Sequence, residues 1–347
     1  MNLTYRMKVT LFSATMMLLS MPSFLSANEE SHVVKITLPE VPKVPKVIDV
    51  KTEGEGTTDD NRAIKFSKRM PPNYIPSAER YGKDGEGATL SHSVVMVGEV
   101  DKGRISAYLR GALIDVKTAV KKLEHAGFTI VMKRHLDKRR RLISIVFTNS
   151  ELKMMASQAN RGYIGTLRLL VDKKNKQISI TNPLYLGKAM LQNDLNEKEM
   201  RTILVAINKE FPELRNSADK LKYQLLPKYQ FMNGMPYYKD YISIKRGDDL
   251  LTKVKNNKRV VFELKLNSGA VLIGVKLGKR TRKFIKKIGV NNAGMLPYPL
   301  LIEQGEAKIL DPKYYLSLMY PQLSMEEFMT IATVPEAIVK DCEKIFR

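Results

Sequence analysis

Residues 178–190, ISITNPLYLGKAM, and residues 307–319, AKILDPKYYLSLM, decide the fold. At a shift of 129 positions Ile180, Pro183, Tyr185 and Met190 fall on Ile309, Pro312, Tyr314 and Met319. Each stretch ends a β-rich run at Asn182 or Asp311. Proline follows, and then apolar residues at helical spacing. Proline suits the first helical position because its missing N–H has no partner there, and Asn or Asp just before it is a natural N-cap. Both pairs therefore read as a strand handing over to a helix. Without any gap, nine pairs between residues 146 and 200 are identical at this shift, Gly165/Gly294, Leu167/Leu296 and Glu197/Glu326 among them. Composition alone gives roughly three. Asn196-x-x-Glu199 is answered by Ser324-x-x-Glu327, two capping boxes one residue out of step.

Working outward, the first stretch opens with a hairpin of Ser93–Val100 and Arg104–Leu113. Asp115 caps a helix to Ala126, which Gly127 stops. Strands over Phe128–Lys133 and Arg141–Thr148 follow, then a short helix Ser150–Gln158. Strands Thr166–Val171 and Gln177–Ile180 turn through Lys173–Lys176, and a helix runs from Asn196 to Phe211. In the second stretch Val260–Leu266 and Ala270–Leu277 pair across Asn267-Ser268-Gly269, a strong hairpin turn. The expected class is α+β: two tandem β-α-β4-α-like repeats, residues 89–215 and 216–347, with antiparallel sheets and helices on one face. Two copies suggest a pseudo-two-fold pair rather than a solenoid.

The N-terminus sets the expected compartment. Arg6 and Lys8 precede an apolar stretch from Val9 to Leu25, and Ser26-Ala27 offers small residues for a signal peptidase before the polar Asn28. Hydroxyls and Pro22 interrupt the stretch, so residues 1–27 read as a cleaved signal peptide; an uncleaved anchor is the alternative. A periplasmic or secreted protein follows. Residues 28–88 read as a flexible tether. Pro39, Pro42 and Pro45 recur every third residue, which favours polyproline II. The run TEGEGTTDDN then holds too little apolar surface to order itself.

At 44% hydrophobic residues the chain can bury a core, and its net charge is +22. Loss of Arg6 and Lys8 with the signal leaves +20. Such an excess attracts anionic surfaces and partners. Cys342 is the only cysteine, so no internal disulfide forms. His32, His92, His125 and His135 show no metal-ligand spacing. No Gly-x-Ser-x-Gly or phosphate-cradling glycine loop occurs. No catalytic constellation, metal or cofactor is therefore expected.

Two basic clusters stand out. Lys133, Arg134, Lys138, Arg139, Arg140 and Arg141 crowd one hairpin tip. Lys279, Arg280, Arg282, Lys283, Lys286 and Lys287 decorate a helix, opposite Phe284, Ile285 and Ile288. The functional reading is an exported, noncatalytic envelope protein that uses these cations to hold an anionic surface or partner, peripheral membrane contact included; nucleic acid is not expected. The bland reading is a solvated face. The alternative function is a small apolar ligand held between sheet and helices, with Pro183, Tyr185, Pro312 and Tyr314 lining the groove.

The second stretch, VLIGVKLGKRTRKF…GMLPYPLLIEQGEAKILDPKYYLSLM, resembles the bacterial family catalogued as domain of unknown function 302. Leu296-Pro297 and Asp311-Pro312 match its Leu-Pro-Cys and Asp-Pro motifs, and Asn182-Pro183 matches in part. Tyr298 stands where that family has cysteine, and Arg168 replaces the proline in the first stretch. The resemblance implies a TATA-box-binding-protein-like α+β fold, which agrees with the element order. It implies no activity.

Overall fold

A computed structural model describes residues 95–347, and the signal and tether assignments lie outside them. The strands of the first half are β1 (Arg104–Ser106), β2 (Tyr108–Ala112), β3 (Thr129–His135), β4 (Leu142–Thr148), β5 (Leu167–Asp172), β6 (Gln177–Thr181), β7 (Arg215–Asn216) and β8 (Lys220–Lys222). Its helices are α1 (Val116–His125), α2 (Ser150–Ala156), α3 (Pro183–Leu191) and α4 (Glu197–Glu210). The second half holds β9 (Ile242–Arg246), β10 (Val260–Lys265), β11 (Val271–Val275), β12 (Tyr298–Glu303) and β13 (Glu306–Ile309). Its helices are α5 (Leu250–Val254), α6 (Phe284–Lys287), α7 (Pro312–Met319), α8 (Met325–Thr330) and α9 (Val334–Glu343). The class is α+β, and every strand pairing in the sheets is antiparallel.

One sheet runs β3-β4-β5-β6-β2-β7 and the other β10-β11-β12-β13-β9. In both, the strand that comes first in the chain closes beside the fourth of a meander. The helix starts follow the local chemistry. Asp115 accepts the N–H groups of Lys117 and Thr118, Asn182 that of Leu184, and Asp311 that of Lys313. Ser324 and Glu327 form a complete capping box.

Three expectations need correction. Residues 95–100 are not a strand: the Gly98 N–H donates to the Asn216 side chain at 2.9 Å, and its carbonyl accepts from Asn182 at 2.8 Å. With both backbone groups engaged by side chains, the segment turns at Gly98, whose φ of 92° is one that glycine tolerates. Strand β1 pairs instead with β8, and β7 with β2. Residues 216–222, assigned to the second stretch, therefore pair with the first. The gapless shift also fails locally. It aligns α3 with α7, but β5 opens at Leu167 and β12 at Tyr298, two residues beyond it. The cause is the turn: Lys173–Lys176 spans β5 and β6, whereas Gln304-Gly305 alone spans β12 and β13.

Strand β4 is buried at every position because both its faces are covered. Helix α1 packs on β3, β4 and α4, while residues 293–295 of the second half lie across β4, β5 and β6. Reciprocally, residues 162–165 lie across β11 and β12. A Cβ on Gly162 would press into the Leu301 side chain, which would have to shift, so glycine allows this close approach. Hydrogen bonds stitch the seam. Ser144 donates to Leu296 O at 2.8 Å, Tyr163 to Lys308 O at 3.0 Å, Tyr108 to Met319 O at 2.8 Å and Tyr185 to Leu318 O at 2.7 Å. The ion pair of Lys308 and Glu303, at 2.7 Å, is buried there as well, and both partners also bond Asn160 of the first half. Removing either partner would leave the other charge buried and unpaired, which is strongly destabilising.

Candidate functional site

The two basic clusters meet in one place. The β3–β4 turn contributes Lys138, Arg139 and Arg141 to a cleft of about 500 Å³. Lys174, from the turn between β5 and β6, adds a fourth cation. The segment between β11 and β12 supplies Lys279, Arg282, Lys283 and Lys286. Leu136, Leu142, Ile285 and Val290 complete the lining, of which the first three are almost wholly buried. Asp137 is the single acid in it.

Each wall is held in place by a carboxylate. Asp137 Oδ1 accepts the backbone N–H groups of Arg141 and Leu142 at 2.8 and 3.0 Å. That carboxylate closes the turn, and its other oxygen stays 4.0 Å from Arg141 Nε, too far for a hydrogen bond. Arg141 Nε is itself buried without an acceptor. On the opposite wall Asp341 of α9 accepts Gly278 N–H at 2.7 Å and Thr281 Oγ1 at 2.6 Å, with Lys344 3.2 Å away. Burial raises its pKa, but the bonds from Thr281, Gly278 and Lys344 outweigh this and hold it below the ordinary carboxylate value. Asp341 thereby fixes the start of the basic segment while lying outside the cleft.

The field in the cleft is uncompensated. Among the described residues, Lys138, Arg139, Lys174, Lys279, Arg282, Lys283 and Lys286 form no ion pair. The neighbouring Lys276 has its pKa lowered, first by the Arg134 charge, then by burial and by Arg282 and Arg259. Crowded like charges disfavour one another's charged forms, and an incoming anion relieves that cost.

The expected residues divide by position. Arg139, Arg141, Lys279, Lys283 and Lys286 line the cleft. Arg134 instead borders a narrow slot of about 20 Å³ that shares Leu136 and Arg282 with it. Lys133, Arg140 and Arg280 are exposed outside the cleft, and Lys287 Nζ donates to Thr330 O at 2.9 Å. The expected basic helix is corrected to a 3-10 turn, Thr281–Lys283, followed by the single turn of α6. Phe284 and Ile285 are core residues, so they are not free to enter a lipid surface.

Pro183, Tyr185, Pro312 and Tyr314, expected along a groove, are all four buried in the core among the described residues. Helix α3 is apolar on nearly every side, and a helix of that kind is covered all round. Tyr185 bonds Leu318 O, and Tyr314 packs edge-on against Tyr238 with its hydroxyl unpartnered. Lys174 was missed as a site residue. Its Lys-Lys-Asn-Lys turn was legible as a turn, but nothing local ties it to residues 279–286. Cys342 is wholly buried, and burial pushes its thiol pKa up.

No family model, curated protein or solved structure matches the chain. The resemblance to domain of unknown function 302 therefore rests on its short motifs.

Proposed function

We propose that the chain is an exported, noncatalytic protein of the bacterial envelope that holds an anionic partner in the basic cleft. The observation that carries this reading is the convergence of cations from three separate turns on one concavity with a single acid, itself engaged with the backbone. A merely solvated charge run would give no reason for Lys138 and Lys279, so distant in the chain, to share a cleft. The walls are also braced by Asp137 and Asp341, so their cations are partly preorganised. We further read the two sheets as copies of one TATA-box-binding-protein-like unit. Their matching strand orders and the capped prolines at 183 and 312 support this.

The test removes either wall. Lys138→Gln with Arg139→Gln neutralises the first, and Lys279→Gln with Lys283→Gln the second. Near an anionic membrane each cation contributes up to ~1 kcal/mol, so a pair corresponds to roughly 30-fold in affinity. Wild type and both pairs are titrated with anionic vesicles and with a soluble polyanion at low salt. Each pair alone should weaken binding by tenfold or more. Binding that survives both pairs unchanged would place the partner elsewhere.

A further inference from the structure

Charge density and shape narrow the ligand. The cleft lining carries eight cations and one carboxylate, a formal +7 within about 500 Å³. That volume suits one small-molecule ligand. A carboxylate brings a single charge, so a carboxylate ligand that neutralised this lining would need a scaffold of many groups. A phosphate monoester carries about 1.5 to 2 negative charges at pH 7, so roughly four on one scaffold suffice, while a linear chain brings about one per inner phosphoryl and a second, partly ionised, on each end. The donors agree. Arg139, Arg141 and Arg282 offer planar forks that match phosphate oxygens two at a time, and the lysines add compact point charges around them.

The apolar side of the ligand is limited by the adjoining slot. It is bordered by Val261, Val275, Leu277, Leu296 and Pro297, but its volume is only about 20 Å³. That is room for about one water, far short of an acyl chain. Resting on the reading of the cleft as an anion site, we infer that its ligand is a compact polyphosphate: several phosphoryl groups clustered on a small scaffold or in a short chain, with no apolar tail taken up. The same chemistry is offered by a free short-chain polyphosphate and by a multiply phosphorylated lipid headgroup.

Calorimetry of the full mature chain with tripolyphosphate and with citrate tests the class, and vesicles of phosphatidylcholine with or without a bisphosphorylated inositol lipid separate the two sources. Tripolyphosphate, the more highly charged anion, should bind at least about tenfold more tightly than citrate. Arg139→Lys with Arg282→Lys, which keeps the charge but removes the forks, should weaken tripolyphosphate by about tenfold; an unchanged affinity would place the anion away from these forks and overturn the assignment. Thermal unfolding checks that this variant remains folded, and a misfolded pair is replaced by each single substitution. Tighter binding to the doped vesicles than to tripolyphosphate would assign the headgroup; the reverse order would assign the free anion. Equal affinity for citrate and tripolyphosphate would overturn the polyphosphate class and leave the anion site standing. No binding of any of these anions would overturn both.

Discussion

Arg168 and Pro297 meet across the seam between the halves: the guanidinium Nη1 donates to the proline carbonyl oxygen at 2.6 Å. The same nitrogen donates to Met295 O, and the side chain is 4% exposed. Among the described residues no carboxylate pairs with it. A buried cation held only by carbonyl dipoles is expensive to desolvate and still costly to remove, because its acceptors are then left bare.

Replacing Arg168 by Met should therefore destabilise the protein by about 2 kcal/mol, since each hydrogen bond from a charged donor is worth ~1.5–3 kcal/mol and relief of the desolvation cost returns part of it. The chain has no tryptophan, so urea unfolding is followed by far-UV circular dichroism. A loss below about 0.5 kcal/mol would mean that these bonds do not hold the seam.

Cys342 lies on the core face of α9 with Ile338, and its raised thiol pKa further lowers its reactivity. A thiol reagent should label it slowly in the native protein and quickly in urea. Cys342→Ala should cost on the order of 1 kcal/mol or more, as buried truncations do. Rapid native labelling would reject the structural role and reopen a redox one.

The Asp341 carboxylate has its pKa lowered by folding, so the sign of its pH dependence is set. Its contribution is complete above the ordinary carboxylate value of about 3.9 and is lost as pH falls through the lower, folded value. Wild type should thus be more stable than Asp341→Asn at neutral pH, with the difference shrinking at the acid end, below about pH 4. Urea midpoints of the two proteins from neutral to acid pH measure this. A difference that stays constant over that range would show that the charged form is not what anchors Gly278 and Thr281.

What was legible in the sequence is what local chemistry dictates. Asn182-Pro183 and Asp311-Pro312 announced two capped helices, Ser324 and Glu327 a capping box, and Asn267-Ser268-Gly269 a hairpin turn, and each is present. The pairing of β1 with β8 was not legible, because nothing local in Arg104–Ser106 distinguishes a partner at Lys220–Lys222 from one at residues 93–100. Whether Tyr185 and Tyr314 fill a core or line a groove was undecided for a related reason: an apolar helix looks the same in either place. Residues 138–141 and 279–286 become neighbours only once the turns of each half cross the other's sheet, and no periodicity in either cluster encodes that.

The cleft makes a distinction that charge counting cannot. Lys279 and Lys283 line it, whereas Arg280 is exposed outside and Lys287 is turned to Thr330 O. All four are cations of one short segment, and each pair of substitutions to Gln removes the same charge. If attraction were diffuse, Lys279→Gln with Lys283→Gln and Arg280→Gln with Lys287→Gln would weaken anion binding equally. If the cleft is the site, the first pair should cost tenfold or more and the second no more than about threefold, because Lys279 and Lys283 can touch a bound anion whereas Arg280 and Lys287 act on it only through solvent, where salt screens. Raising the salt should shrink the second effect faster than the first. Titration of wild type and both double variants with the same polyanion at two ionic strengths decides it. Equal losses would return the basic segment to a solvated face, and with it the function proposed for the protein.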